Sequence, residues 1–167
     1  NKFVEAHRKQ KKLLLERSRQ FTSTPEEVAV LEQRYARDID QAAAFLRAED
    51  IEDEGERRHR KHVRAALVFI ESHRELPRLA WPREVLDTTL NLEQAFIIWR
   101  QRHARMVERM IGRRTGTGGS GGVDYLDQTA LKYRVFEDLW SVRTILLRRE
   151  LVPELENAAD YRFRVED

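Results

Sequence analysis

The chain has 167 residues, 41% of them hydrophobic and 36% charged, and 31 lysines and arginines set against 29 aspartates and glutamates leave a formal charge of only +2. That balance supplies no net field for a nucleic acid, and the lack of any cysteine removes disulfide scaffolds and thiolate metal sites and fits a cytoplasmic location. The longest unbroken apolar run, residues 65–70, falls far short of the ~18 residues a membrane span needs, and the chain opens without the charged and apolar regions of a secretory signal.

Taken in order, the elements read as helices. A first helix is predicted over about residues 2–20. Thr24-Pro25-Glu26-Glu27 then offers an N-cap, a proline at the first helical position and a capping-box glutamate, opening a second helix to about Ala48. After an acidic turn, a third runs from about Gly55 to Arg74 with Val63, Leu67 and Ile70 on one stripe, closed by a loop around Pro77. The run Arg57-Arg58-His59-Arg60-Lys61-His62 is the one local patch that could meet phosphates. It follows acidic residues 49–56 and reads as a solvated helix face, so no nucleic-acid partner is expected. Glu5 with His7, and His59 with His62, lie among lysines and arginines and read as polar faces, not metal pairs.

Pro82 marks the start of a long helix that continues to about Arg114 without another proline, roughly 45 Å at 1.5 Å per residue. Leu92, Phe96, Trp99, His103, Met106 and Met110 recur at three- and four-residue steps, which makes them one helix face and points His103 toward a core. A lone histidine in such a stripe is more often a core residue bonded to a carbonyl than a ligand. Trp99 and Phe96 would likewise be core packing in any bundle. Residues 116–122 then place five glycines in seven positions, an entropically costly choice unless the backbone adopts positive φ or closely approaches something; a flexible linker is the bland alternative. Gly116, Gly118 and Gly121 satisfy G-x-G-x-x-G, but a helix precedes them where a dinucleotide fingerprint needs a strand, and no lysine ends the loop as in a P-loop. Two shorter helices follow, over about residues 123–133 and 136–147, and Pro153 opens an irregular polar tail. The expected fold is an all-α bundle of five to six helices around one long helix, treated as a single domain over residues 1–167.

The string Trp99-Arg100, His103, Met106-Val107, Arg109, Gly112, Gly116-Thr117-Gly118-Gly119-Ser120 and Tyr125-Leu126 resembles the C-terminal half of the haem-dependent tryptophan 2,3-dioxygenases. The continuation through Thr129, Tyr133-Arg134-Val135-Phe136 and Asp138-Leu139-Trp140 extends the resemblance, which is dense over about residues 80–150 and weaker before that. It implies that His103 is the axial ligand of haem iron, with Trp99 and Met106 in the haem pocket, and that residues 115–122 form a substrate loop in which Thr117, Gly118 and Ser120 contact the amino-acid end of the substrate. With no cysteine the haem would be non-covalent haem b. The implied reaction is insertion of O2 across the indole C2–C3 bond of L-tryptophan to give N-formylkynurenine, and the implied assembly is a homotetramer.

Gly121 stands where the family usually has serine. The family's distal histidine, carboxylate-binding arginine and aromatic pocket belong to an N-terminal half not found here, so no catalytic residue is assigned within this chain and a missing N-terminal half or second polypeptide is expected as partner. Other readings are a related haem monooxygenase or hydroxylase acting on a modified tryptophan or tyrosine, and a non-catalytic helical assembly module.

Overall fold

A computed structural model describes residues 2–21, 24–114, 122–132 and 134–163; the side chains of Ala130 and Leu131 are not described. Among these residues there are six α-helices and no strand: α1 (Lys2–Ser18), α2 (Pro25–Arg47), α3 (Glu54–Ser72), α4 (Ala80–Ile111), α5 (Val123–Lys132) and α6 (Glu137–Thr144), with short 3-10 turns at Pro77–Leu79, Arg149–Leu151 and Ala158–Tyr161. The all-α expectation holds. No helix of the described residues is long and apolar enough to cross a membrane.

Local chemistry sets the ends. The Thr24 hydroxyl accepts from the Glu27 amide while the Glu27 carboxylate accepts from the Thr24 amide, both at 3.3 Å, closing the predicted capping box with Pro25 at the first position. Asp53 caps α3 by accepting from the Glu56 amide at 2.7 Å. Helix α4, with 32 residues, spans about 48 Å. It ends three residues before the predicted limit because Gly112 takes φ +66° and its amide bonds the Glu108 carbonyl, a left-handed stop that glycine adopts without strain. The last helix also ends three residues early. There Gln10 of α1 takes up the backbone beyond it, accepting from the Arg148 amide at 2.7 Å and donating to the Leu146 carbonyl, so those groups have partners outside a helix.

The chain divides into two compact units, Asn1–Arg83 with Ser141–Asp167, and Glu84–Trp140. In the first, Ala42, Leu67, Val68, Leu76, Val142 and Ile145 are buried. Charged groups are buried with them and each has a partner. Arg64 grips Asp50 through two bonds of 2.6 and 2.7 Å, donates to the Phe45 carbonyl and lies 4.4 Å from the centre of the Phe45 ring. The enclosed Glu71 carboxylate meets Arg74 at 2.8 Å and Arg143 at 3.1 Å.

His7 departs from the polar face expected of it. It is 2% exposed, and its Nδ1 has no hydrogen-bond partner. The neighbouring Lys11 is drawn inward by its 2.7 Å pair with Asp38, which is why a lysine-rich segment encloses a histidine. Burial first, and then the Lys11 charge, lower the pKa of His7 against a smaller opposing pull from Asp38. Because the folded pKa lies below the unfolded value, the unfolded chain takes up the proton first. Stability is therefore expected to be complete above about pH 6.5 and to fall as the pH drops from there through the lower folded value. Denaturant midpoints measured between pH 7.5 and 5 should decline for the parent chain and decline less for His7→Phe; parallel curves would refute the assignment.

Candidate functional site

The second unit is organised along α4. Its covered face carries Leu90, Glu93 and Ala104, with Ile97, Arg100 and Val107 half-buried beside them. The polar members of this face bond groups further along the chain. Arg100 donates to the Thr129 carbonyl at 3.3 Å. Glu93, 6% exposed, accepts from the Val135 amide, from the Phe136 amide at 3.1 Å and from the Trp140 indole N–H. Burial opposes ionisation of this carboxyl, but the indole, the two amides and the charge of Arg134 outweigh it and hold the pKa below the ordinary glutamate value. Arg134 in turn lies 5.0 Å from the centre of the Trp140 ring.

The stripe predicted to face a core does not. Leu92, Phe96, Trp99, Met106 and Met110 are each more than half exposed, and His103 is half-buried. Successive helix residues point 100° apart, so the face covered around Ala104 leaves the stripe around His103 at its edge and beyond. The reason is that α5 and residues 134–140 are tied to α4 through Glu93 and Arg100, which stand on the neighbouring face. The His103 ring stacks on Trp99 with centroids 5.8 Å apart and planes 18° from parallel, and it forms no hydrogen bond to another described residue. A histidine bonded to a carbonyl, the ordinary arrangement for a core position, is not what is found.

The other predicted site residues, Thr117, Gly118 and Ser120, lie outside the described residues, as does most of the loop of residues 115–122. Its flanks are described. Arg113 meets both Glu108 and Asp124 at 3.1 Å, and Arg105 bridges Glu108 and Asp127, so charge pairs join the end of α4 to the start of α5. Gly122, immediately before α5, takes φ +59°. Among the described residues no group of three or more histidine or carboxylate side chains could hold a bare metal ion, so His103 stands as a single donor.

A model of the tryptophan 2,3-dioxygenase family matches residues 1–146. This chain belongs to the tryptophan 2,3-dioxygenase family. Among its relatives, a tryptophan 2,3-dioxygenase of Sorangium cellulosum is 68% identical over 146 residues, which is 86% of this chain and 35% of that protein. Tryptophan 2,3-dioxygenase 2 of Ralstonia nicotianae is 60% identical over 144 residues, 85% of this chain and 39% of the relative. A tryptophan 2,3-dioxygenase-like protein of Xanthomonas campestris is 58% identical over 142 residues, 84% of this chain and 52% of the relative. The chain thus spans about a third to a half of the length of these relatives.

Sequence reasoning passed over two residues that matter to the local geometry of this unit. Glu93 and Trp140 are 47 positions apart and form one side-chain bond. The available signal was an acidic residue in register with Leu90, Ile97 and Ala104, a place where helix periodicity calls for an apolar side chain.

Proposed function

We propose that the chain forms the part of a haem dioxygenase that carries the axial ligand, with His103 as that ligand, and that the assembled protein inserts both atoms of O2 across the indole C2–C3 bond of L-tryptophan to give N-formylkynurenine. The observation that carries this reading is the His103 imidazole itself, held on an apolar face, stacked on Trp99 and bonded to no other described residue. The donor set fits haem b: an imidazole with unclaimed nitrogens is a common iron ligand, the exposed side chains of Trp99 and Met106 suit an apolar macrocycle, and there is no cysteine for covalent attachment. Haem, when bound, supplies the activation of dioxygen.

The chain's own residues position. Trp99, one helical turn before His103, limits rotation of the imidazole by stacking. Thr117, Gly118 and Ser120 would hold the ammonium and carboxylate of tryptophan through a hydroxyl and turn amides, so that orientation supplies much of the rate. The remaining substrate contacts would come from sequence that the longer relatives possess and this chain does not span. Further copies of the protein would cover the exposed apolar side chains of α4 in a homotetramer, working in the cytoplasm.

Thr117→Ala in the assembled enzyme tests the reading at the substrate. Loss of a hydrogen bond to a charged group, worth roughly 1.5–3 kcal/mol, should lower kcat/KM about tenfold to a hundredfold with the Soret band unchanged. Product is followed by N-formylkynurenine absorbance. An unaltered kcat/KM would remove Thr117 from the substrate site, and no product from the assembled parent enzyme would overturn the proposed reaction.

A further inference from the structure

Within the first unit, two cavities flank His73 at the C-terminal end of α3. One, of about 300 Å³, is walled chiefly by Phe3, Leu46, Ala65, Val68, Phe69 and Leu155; the other, of about 370 Å³, lies on the side of Ser72 and Leu76. His73 lines both and is only 8% exposed. Its Nδ1 sits 2.9 Å from the Phe69 carbonyl oxygen, which can only accept, so Nδ1 carries the proton and Nε2 is left as an acceptor. Nε2 is buried and has no partner. The Phe69 ring, 4.7 Å from the imidazole and 5.3 Å from the Tyr161 ring, holds the histidine in place. A buried acceptor without a donor is uncommon in a folded protein and signals a missing partner.

We propose that the 300 Å³ cavity is a binding site for a small, mostly apolar, uncharged molecule bearing one hydroxyl or N–H donor, of which phenol is the simplest representative, and that the donor bonds His73 Nε2. The size is at the lower end of small-molecule pockets, and one polar group in an apolar wall is their usual pattern. The two charged residues at its wall, Lys2 and Glu154, carry opposite signs, so a charged ligand gains no net attraction to offset the hydration it loses against Leu46, Val68 and Phe69. Water could satisfy Nε2 but would leave the apolar wall wet, whereas a ring with a hydroxyl answers both. Pro153, Glu154 and Leu155 line both cavities and belong to no helix, so they form the wall that can yield to admit the ligand to a nitrogen now shut from solvent. They also lie beyond residue 146, where the family match stops. The site involves none of the residues assigned to haem or tryptophan and stands without that assignment.

The test compares 4-fluorophenol with fluorobenzene, the same ring with and without the donor, titrated into the 167-residue chain and read by fluorine NMR and by the imidazole nitrogen shifts of His73. The phenol is expected to bind saturably, to move the Nε2 resonance, and to bind at least about tenfold tighter than fluorobenzene. H73F should bring the two ligands to equal affinity, and V68W, which fills the cavity, should abolish binding of both, with helical circular dichroism confirming that each variant is folded. The wild-type nitrogen shift needs no variant and decides the matter if either fails to fold. Equal affinities in the wild type, an unmoved Nε2 resonance, or a phenol preference that survives H73F would overturn the proposal.

Discussion

His103→Ala is expected to abolish stoichiometric haem binding and to displace or erase the Soret band of whatever haem remains. Losing an outer partner of a metal ligand already lowers affinity about 10–100-fold, so losing the ligand should exceed about a hundredfold. The substitution should leave the fold intact, since His103 is half-buried and contributes no hydrogen bond to the described residues. Added imidazole should restore much of the parent spectrum by occupying the vacated position. An unchanged spectrum without imidazole would assign the iron to another donor, and failure of rescue together with lost helicity would make His103 a structural residue.

Glu93→Ala should produce the largest loss of stability of any single change in residues 84–140. It strands two backbone amides and an indole N–H that now share one buried carboxylate. A hydrogen bond to a charged group is worth about 1.5–3 kcal/mol and a stranded buried donor is a further penalty, so a loss of at least about 3 kcal/mol is expected. Denaturant melting gives the magnitude, and amide exchange places it: residues 134–140 should lose protection while α1 to α3 keep theirs. Glu93→Gln should fall between, because it keeps one acceptor oxygen but turns an amide N–H toward the groups it must accept from. The carboxyl has its pKa depressed in the folded state, so its stabilisation should be complete above about pH 4.3 and disappear as the pH falls through the lower folded value. Uniform protection in Glu93→Ala would show that the three bonds do not hold this segment.

The helices were legible because their signals are local. Thr24-Pro25-Glu26-Glu27 declares a start from four adjacent residues, whereas the stop at Gly112 was passed over and the long helix was expected to run to about Arg114. What could not be read was the partner of each face. Periodicity sorted Leu92, Phe96, Trp99, His103 and Met106 onto one side of α4 correctly, yet the side that is covered is the one bearing Glu93 and Arg100, whose importance depends on backbone groups some 30 to 40 residues downstream. The same limit applies to His7 and His73. Their sequence neighbours are charged, and only the packing around α1 and α3 encloses them. Of the proposed site, His103, Trp99 and Met106 were placed on one helix face by spacing alone, while Thr117, Gly118 and Ser120 rest on the family pattern.

The bond between Gln10 and Arg148 joins residues 138 positions apart, and Lys2 meets Glu156 across 154. The first unit therefore has to wait for residues 148 and 156, whereas residues 84–140 are one continuous segment. On the ribosome, where the chain emerges at about 5–20 residues per second, the segment carrying His103 can assemble before the α1 to α3 unit is able to close. Through that interval Gln10 lacks the Arg148 amide and the buried Glu71 lacks Arg143.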